Sequence, residues 1–136
     1  HATWGFANTL SSNLIQNNQI KQAERVIQLS MDKLPLKNSS ISDTLNKISL
    51  VQNLYAINRH GDANRLIKET SQFIDQEFGY ILSLANKNQN ELIYDIKQGM
   101  YVLQAFNELA KIYQQKAIAD QMTQKIQHFG TKFSEG

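Results

Sequence analysis

Few side chains in this sequence have the types and spacing that chemistry needs. Glu91 and Asp95 lie four residues apart, which would set two carboxylates on one face of a helix, an arrangement suited to acid–base catalysis. Solvated acids at a helix start are the simpler explanation, because the positive end of the helix dipole favours them there. The three histidines, His1, His60 and His128, do not pair at metal-ligand spacing, and no Glu-x-x-His pair exists to build a site on facing helices. His60 precedes Gly61-Asp62, where an imidazolium would meet the negative end of a helix, and His128 falls on a helical surface beside Phe129. There is no cysteine, which removes disulfides and thiolate metal sites. A Gly-x-Ser-x-Gly elbow and a glycine-rich phosphate loop are both missing from the sequence. The expectation is therefore a non-catalytic chain with no metal and no cofactor.

Composition narrows the partners. The chain has 136 residues, the size of one domain with its own core. Fourteen Lys and Arg against twelve Asp and Glu give a net charge of +2, and the basic residues are scattered, so a nucleic-acid partner is not expected. Asn and Gln together number 28, which leaves the polar faces largely uncharged and weak at steering a charged partner. No apolar run approaches the roughly 18 residues of a membrane span. Trp4 and Phe6 have the look of helix core very near the start, as in a piece of a longer protein.

The elements that would position any site are helices. Thr3 suits an N-cap for a first helix of about Thr3 to Asn17, with Trp4, Ala7, Leu10 and Leu14 at spacings of three and four. A second, about Gln19 to Lys33, carries Ala23, Val26 and Ile27 inward with Leu34, and Pro35 ends it. After a loop over 35–42, a third helix of about Ser42 to His60 has Leu45, Ile48, Val51, Leu54 and Ile57 on one stripe. Gly61 suits a left-handed position beyond its end, and Asp62 the N-cap of a fourth helix. That helix carries Leu66, Ile67, Phe73 and Ile74 and continues through Phe78, Ile81 and Leu82, with a kink or break expected at Gly79. A fifth, about Asn90 to Gln115, has Leu92, Ile96, Met100, Leu103, Phe106, Ala110 and Tyr113 in its stripe. A sixth, Ala117 to about Phe133, has Ile118, Met122, Ile126, Phe129 and Phe133. No window alternates in the manner of a strand, so the fold class is all-α.

One pattern occurs three times: a bulky residue, an apolar or small residue four on, and an alanine nine beyond that. It falls at Leu10, Leu14 and Ala23, at Leu50, Leu54 and Ala63, and at Phe106, Ala110 and Ala119. Ile27, Ile67 and Thr123 follow four residues after each alanine. Together with Ser11 and Ser30 in the first copy, Thr70 in the second and Pro35 at the first copy's end, this resembles the tetratricopeptide repeat. The second copy starts 40 residues after the first and the third 56 after the second, so about six extra residues follow Pro35 and an insertion spans Gly79 to Ile96. The resemblance implies one domain over 1–136, a short right-handed solenoid of about six helices in hairpins of about 3–34, 42–85 and 90–133. A plain antiparallel bundle is the alternative that also needs stripes and small residues at helix crossings.

A second resemblance covers nearly the whole chain. Phe6 with Leu10, Gln22-Ala23, Lys33-Leu34-Pro35, Gly79 to Leu84, Asp95-Ile96 and Met100 to Leu103 resemble the C-terminal region of a bacterial multi-pass membrane protein family of unknown function. The membrane part of that family looks like the GT-C class of lipid-linked sugar transferases, related to a protein O-mannosyltransferase. Ile81 stands where the family usually has a second tyrosine, and the family usually has an arginine near Gln98. The resemblance implies a soluble appendage on the periplasmic side of the cytoplasmic membrane, in contact with the parent's own membrane region.

Under the tetratricopeptide alignment, the concave face of the first helix of each hairpin would receive a partner. It would comprise Asn8, Ser12, Ile15 and Gln16, then Gln52, Tyr55 and Ala56, then Tyr101, Gln104, Glu108 and Lys111. Such polar and aromatic side chains suit an extended peptide or a glycan acceptor. Asn8 and Ser12 replace the lysine and asparagine with which some repeat proteins clamp a peptide carboxylate, which disfavours a chaperone-tail receptor. The expected function is protein–protein contact or acceptor positioning for the membrane protein. A free-standing peptide-binding adaptor is the alternative, and an all-α hydrolase built on Glu91 and Asp95 the remote one.

Overall fold

The computed structural model describes residues 3–36, 41–83, 101, 102, 104–113 and 115–134, and the side chains among them except those of 41, 42, 77–83, 125 and 129–134. The described residues are helical throughout their ordered elements and contain no strand. The helices are α1 (Trp4–Gln16), α2 (Ile20–Lys33), α3 (Ile41–Ala56), α4 (His60–Ser83), α5 (101–102 and 104–112) and α6 (Lys116–Ser134). The chain divides into two compact units, His1–Lys68 and Glu69–Gly136, with the division inside α4.

In the first unit, Thr3 caps α1 as its sequence context predicts. Its hydroxyl accepts from the Phe6 amide at 3.2 Å, satisfying an N–H that has no partner within the helix. At the other end Asn18 takes a left-handed conformation, φ 59°, which a short polar side chain tolerates better than a branched one. The Asn18 amide then donates to the Ile15 carbonyl at 3.1 Å, and the Gln19 amide reaches back to the Leu14 carbonyl at 2.8 Å. These two bonds satisfy the last carbonyls of α1. Gln19 immediately serves as the start of α2, its own carbonyl accepting from the Ala23 amide at 3.0 Å.

The same turn recurs at the end of α3. Asn58 has φ 66°, its amide donates to Tyr55 O at 3.0 Å, Arg59 N donates to Leu54 O at 2.8 Å, and Ala63 N to Arg59 O at 3.1 Å. In the second unit Gln115 N donates to Ala110 O at 2.8 Å and Ala119 N to Gln115 O at 2.9 Å. The recurring gap of nine thus has a physical cause. Five residues close the reversed bond that ends one helix, and four more make the first helical bond of the next. Ala23 and Ala63 are 0 % exposed and Ala119 5 %, as tight crossings just past such a turn require.

This geometry corrects the expected boundary between α3 and α4. Asn58, not Gly61, holds the left-handed position; α3 stops at Ala56, and His60 opens α4 instead of closing α3. Gly61 lies in the first turn of α4, with open space where a Cβ would stand. Asp62 sits in that first turn too and pairs with Arg59 at 2.8 Å and Arg65 at 3.3 Å, so the N-cap role expected of it falls away. α4 also runs without a break through Gly79, since one glycine costs a helix only about 1 kcal/mol and the flanking residues carry it.

Two further arrangements shape the first unit. Leu34 adopts the extended conformation that a following proline imposes, and α2 ends there. The Pro35 carbonyl accepts from the Trp4 indole N–H at 3.1 Å, which ties the end of the hairpin to its beginning and lets Trp4 be buried. The core gathers Ala7, Ala23, Ile27, Ile48, Leu50, Val51, Leu54, Ile57, Ala63, Leu66 and Ile67. Leu10 and Phe6 do not belong to it: Phe6 is 66 % exposed and Leu10 37 %, whereas Asn8 and Ser11 are buried. α1 is rotated so that its polar edge meets α3, and apolar spacing alone cannot fix that rotation.

The second unit buries Ile74 of α4, Val102, Phe106, Leu109 and Ala110 of α5, and Ala119 and Met122 of α6. Thr123 Oγ1 donates its one hydrogen to Ala119 O at 2.9 Å, and Asn107 Oδ1 of α5 lies 3.4 Å from the same hydroxyl. Leu92, Ile96, Met100 and Leu103 lie outside the described residues.

Candidate functional site

The residues expected to line a concave face divide between the two units, and each set is described on its own. In the first unit Asn8 is committed to helix packing. It is 5 % exposed, its Nδ2 donates to the Asn46 carbonyl at 3.0 Å, and its own carbonyl accepts from Asn53 Nδ2 at 3.2 Å. Ser12 Oγ donates to Asn53 Oδ1 at 3.1 Å and is half-buried. These three side chains join α1 to α3. Asn8 Oδ1 has no hydrogen-bond partner, a cost the rest of the network must offset. A spacing argument overlooks such a network, because Asn53 falls inside an apolar stripe that reads as core. An asparagine between Leu50 and Leu54 is itself the signal that a cross-helix polar contact is needed.

Gln16, Gln52 and Ala56 are exposed, Ile15 and Tyr55 half-buried. Tyr55 is held from two sides by α4. Its hydroxyl bonds the Asn64 side-chain oxygen, and its ring lies 5.1 Å from the His60 ring at an interplanar angle of 48°. The turn geometry produces this contact, since starting α4 at His60 returns both side chains to the end of α3. Beside it, Arg59 spans two hairpins, with Nη1 donating to Gln28 Oε1 at 2.7 Å and Nε to Asp62 Oδ2 at 2.8 Å. Gln28 in turn donates to Asp32 at 2.9 Å. The result is an ordered polar and aromatic surface at the α3–α4 turn, in which Tyr55, His60 and Gln28 stand beside the Arg59–Asp62–Arg65 ion pairs.

No family model matches the sequence, no curated protein matches it, and no solved structure matches the fold.

In the second unit Tyr101, Gln104, Glu108 and Lys111 are all exposed along α5. Glu108 and Lys111 approach to 3.8 Å, one turn apart, an ion pair in water that holds neither side chain firmly. Tyr101, 58 % exposed, is an aromatic side chain on the surface. Among the described residues no group of three or more His, Asp or Glu converges as a metal site would need. Glu91, Asp95 and His1 lie outside the described residues, and His128 is exposed on α6. No helix among the described residues is long and apolar enough to cross a membrane.

Proposed function

We propose that the chain is a non-catalytic scaffold whose hairpins stack in tetratricopeptide fashion, as the soluble part of a membrane-embedded, glycosyltransferase-like protein. It would stand on the periplasmic side of the membrane. Its polar and aromatic surface, with Gln16, Gln52 and Tyr55 in the first unit, would position an acceptor protein or peptide, or a neighbouring subunit. Tyr101, Gln104, Glu108 and Lys111 would form a contact surface of the second unit's own. The observation that carries this reading is the recurrence, at Gln19, Arg59 and Gln115, of the reversed bond that ends one helix and the first bond of the next, with a buried alanine four residues on each time. Identical joints at a fixed register are what repeat proteins use to build a continuous binding surface from local contacts. Asn8 and Ser12 drop out of that surface, because their polar atoms serve the α1–α3 contact.

Site-specific photo-cross-linking in the full parent protein tests the proposal. A cross-linker at Gln52 or Gln16 should capture a defined partner, and Tyr55→Ala should reduce that capture; a cross-linker at Lys21, exposed on α2, should not capture it. A parent gene with no hydrophobic spans would overturn the membrane half of the proposal, and equal capture at all three positions the other half.

A further inference from the structure

The first helical hairpin, residues 3–36, is closed on itself. The Trp4 indole N–H donates to the Pro35 carbonyl at 3.1 Å across its open end, and the Asn18 turn closes the other. Its share of the core is small. Among the described side chains the hairpin buries four apolar residues, Trp4, Ala7, Ala23 and Ile27, whereas α3 and the start of α4 bury eight between Ile48 and Ile67. Few buried apolar contacts mark the parts of a fold that open first.

Side-chain hydrogen bonds join this hairpin to α3 and to the start of α4. Asn8 Nδ2 donates to Asn46 O, Asn53 Nδ2 to Asn8 O and Ser12 Oγ to Asn53 Oδ1, while Arg59 Nη1 donates to Gln28 Oε1 on α2. Each exchanges a bond to water for a bond to protein, so its net hold is modest. Asn8 Oδ1 is buried without a partner, and it gains a bond to water when the hairpin leaves.

We infer that the α1–α2 hairpin leaves α3 and returns as one piece while α3 and the start of α4 stay folded, so that the first unit has an open and a docked form. Helices of 13 and 14 residues are marginal in water by themselves, so opening also frees their backbone amides. The Trp4–Pro35 bond makes α2 follow α1. Opening uncovers Asn53 and the Asn46 carbonyl, and it takes Gln16 of α1 away from Gln52 and Tyr55 of α3. The docked form therefore assembles the first unit's polar surface, and a partner that spans Gln16 and Gln52 holds the hairpin down by binding that form alone. That last consequence rests on the function proposed above; the opening itself does not.

Native-state hydrogen exchange of the full chain, with no partner present, tests the opening, and the two turn asparagines separate it from global unfolding. The slowest amides of α1 and α2 should agree with each other and be at least about tenfold less protected than the slowest amides of α3 and of residues 60–68. Asn58→Val strains the α3–α4 turn, which the open form keeps. It should lower protection in α3 and in residues 60–68 by about five- to thirtyfold and leave α1 and α2 unchanged. Asn18→Val strains the α1–α2 turn, which is lost both on opening and on global unfolding, and should lower protection in all four segments by a similar factor. An Asn58→Val protein in which α1 and α2 lose as much protection as α3 would overturn the inference, because the four helices would then unfold together. So would α1 exchanging well ahead of α2, which is fraying from one end. A partner captured through Gln52 should raise the protection of α1 and α2 selectively; if it does not while the exchange pattern holds, the binding consequence falls and the opening stands.

Discussion

Replacing Gly61 by alanine decides between two placements of the α3–α4 turn by the sign of its effect. If Gly61 held the left-handed position that Gly61-Asp62 suggests in the sequence, alanine there would cost about 1–2 kcal/mol. In the structure Gly61 occupies the first turn of α4, has no positive φ, and has open space around the position of a Cβ. Alanine then meets nothing and restricts only the unfolded chain, which stabilises by about 0.4–1 kcal/mol. The two placements differ by roughly 1.5–3 kcal/mol, or several degrees in Tm for a domain of this size. Thermal and urea melts followed by far-UV circular dichroism measure the difference. Asn58 provides the complement: with φ 66°, Asn58→Gly should be neutral or mildly stabilising and Asn58→Val should cost about 1–2 kcal/mol. A Gly61→Ala protein less stable than the parent, together with a silent Asn58→Val, would refute the turn and the derivation of the nine-residue gap.

Other consequences follow from the packing. Ala23→Leu or Ala63→Leu places three extra heavy atoms at a site with no exposed surface and should cost about 1–3 kcal/mol each by chemical denaturation; unchanged midpoints would count against the crossings. Asn53→Ala strips partners from both Ser12 and the Asn8 carbonyl and should cost about 1–3 kcal/mol in the same assay. Asn8→Ala should cost less than Asn53→Ala, because it also removes the unpartnered Oδ1, and the reverse order would contradict the network. Exchange of Glu91 and Asp95 for their amides should leave the parent protein's activity intact, and a large loss of turnover would revive a catalytic role for that pair.

Much of the helical plan was legible from local chemistry. Thr3 as a cap, Pro35 as a stop and the positions of Ala23, Ala63 and Ala119 all follow from backbone rules that act over a few residues. The boundary after α3 was misread where two local signals competed. Gly61-Asp62 resembles a stop and a start, but the nine-residue register already placed the turn at Asn58, and the bonds follow the register. Asparagine accepts the left-handed conformation, so no glycine is needed there. Among the candidate site residues, Tyr55, Gln16 and Gln52 could be recognised as polar surface, whereas Asn8 and Ser12 could not be told from it. Their use depends on which helix lies alongside.

By itself, then, the sequence determined the all-α class, where most helices begin and end, and a spacing that recurs three times, because caps, stops and reversed bonds depend on neighbours within about five residues. The rotation of each helix about its axis was decided only by tertiary structure. That rotation buries Asn8 against Asn46 and Asn53, turns Phe6 and Leu10 outward, and brings Tyr55 against His60. Spacing defines a stripe of residues, but the direction that stripe faces is set by the helix that packs against it, and that partner lies dozens of residues away.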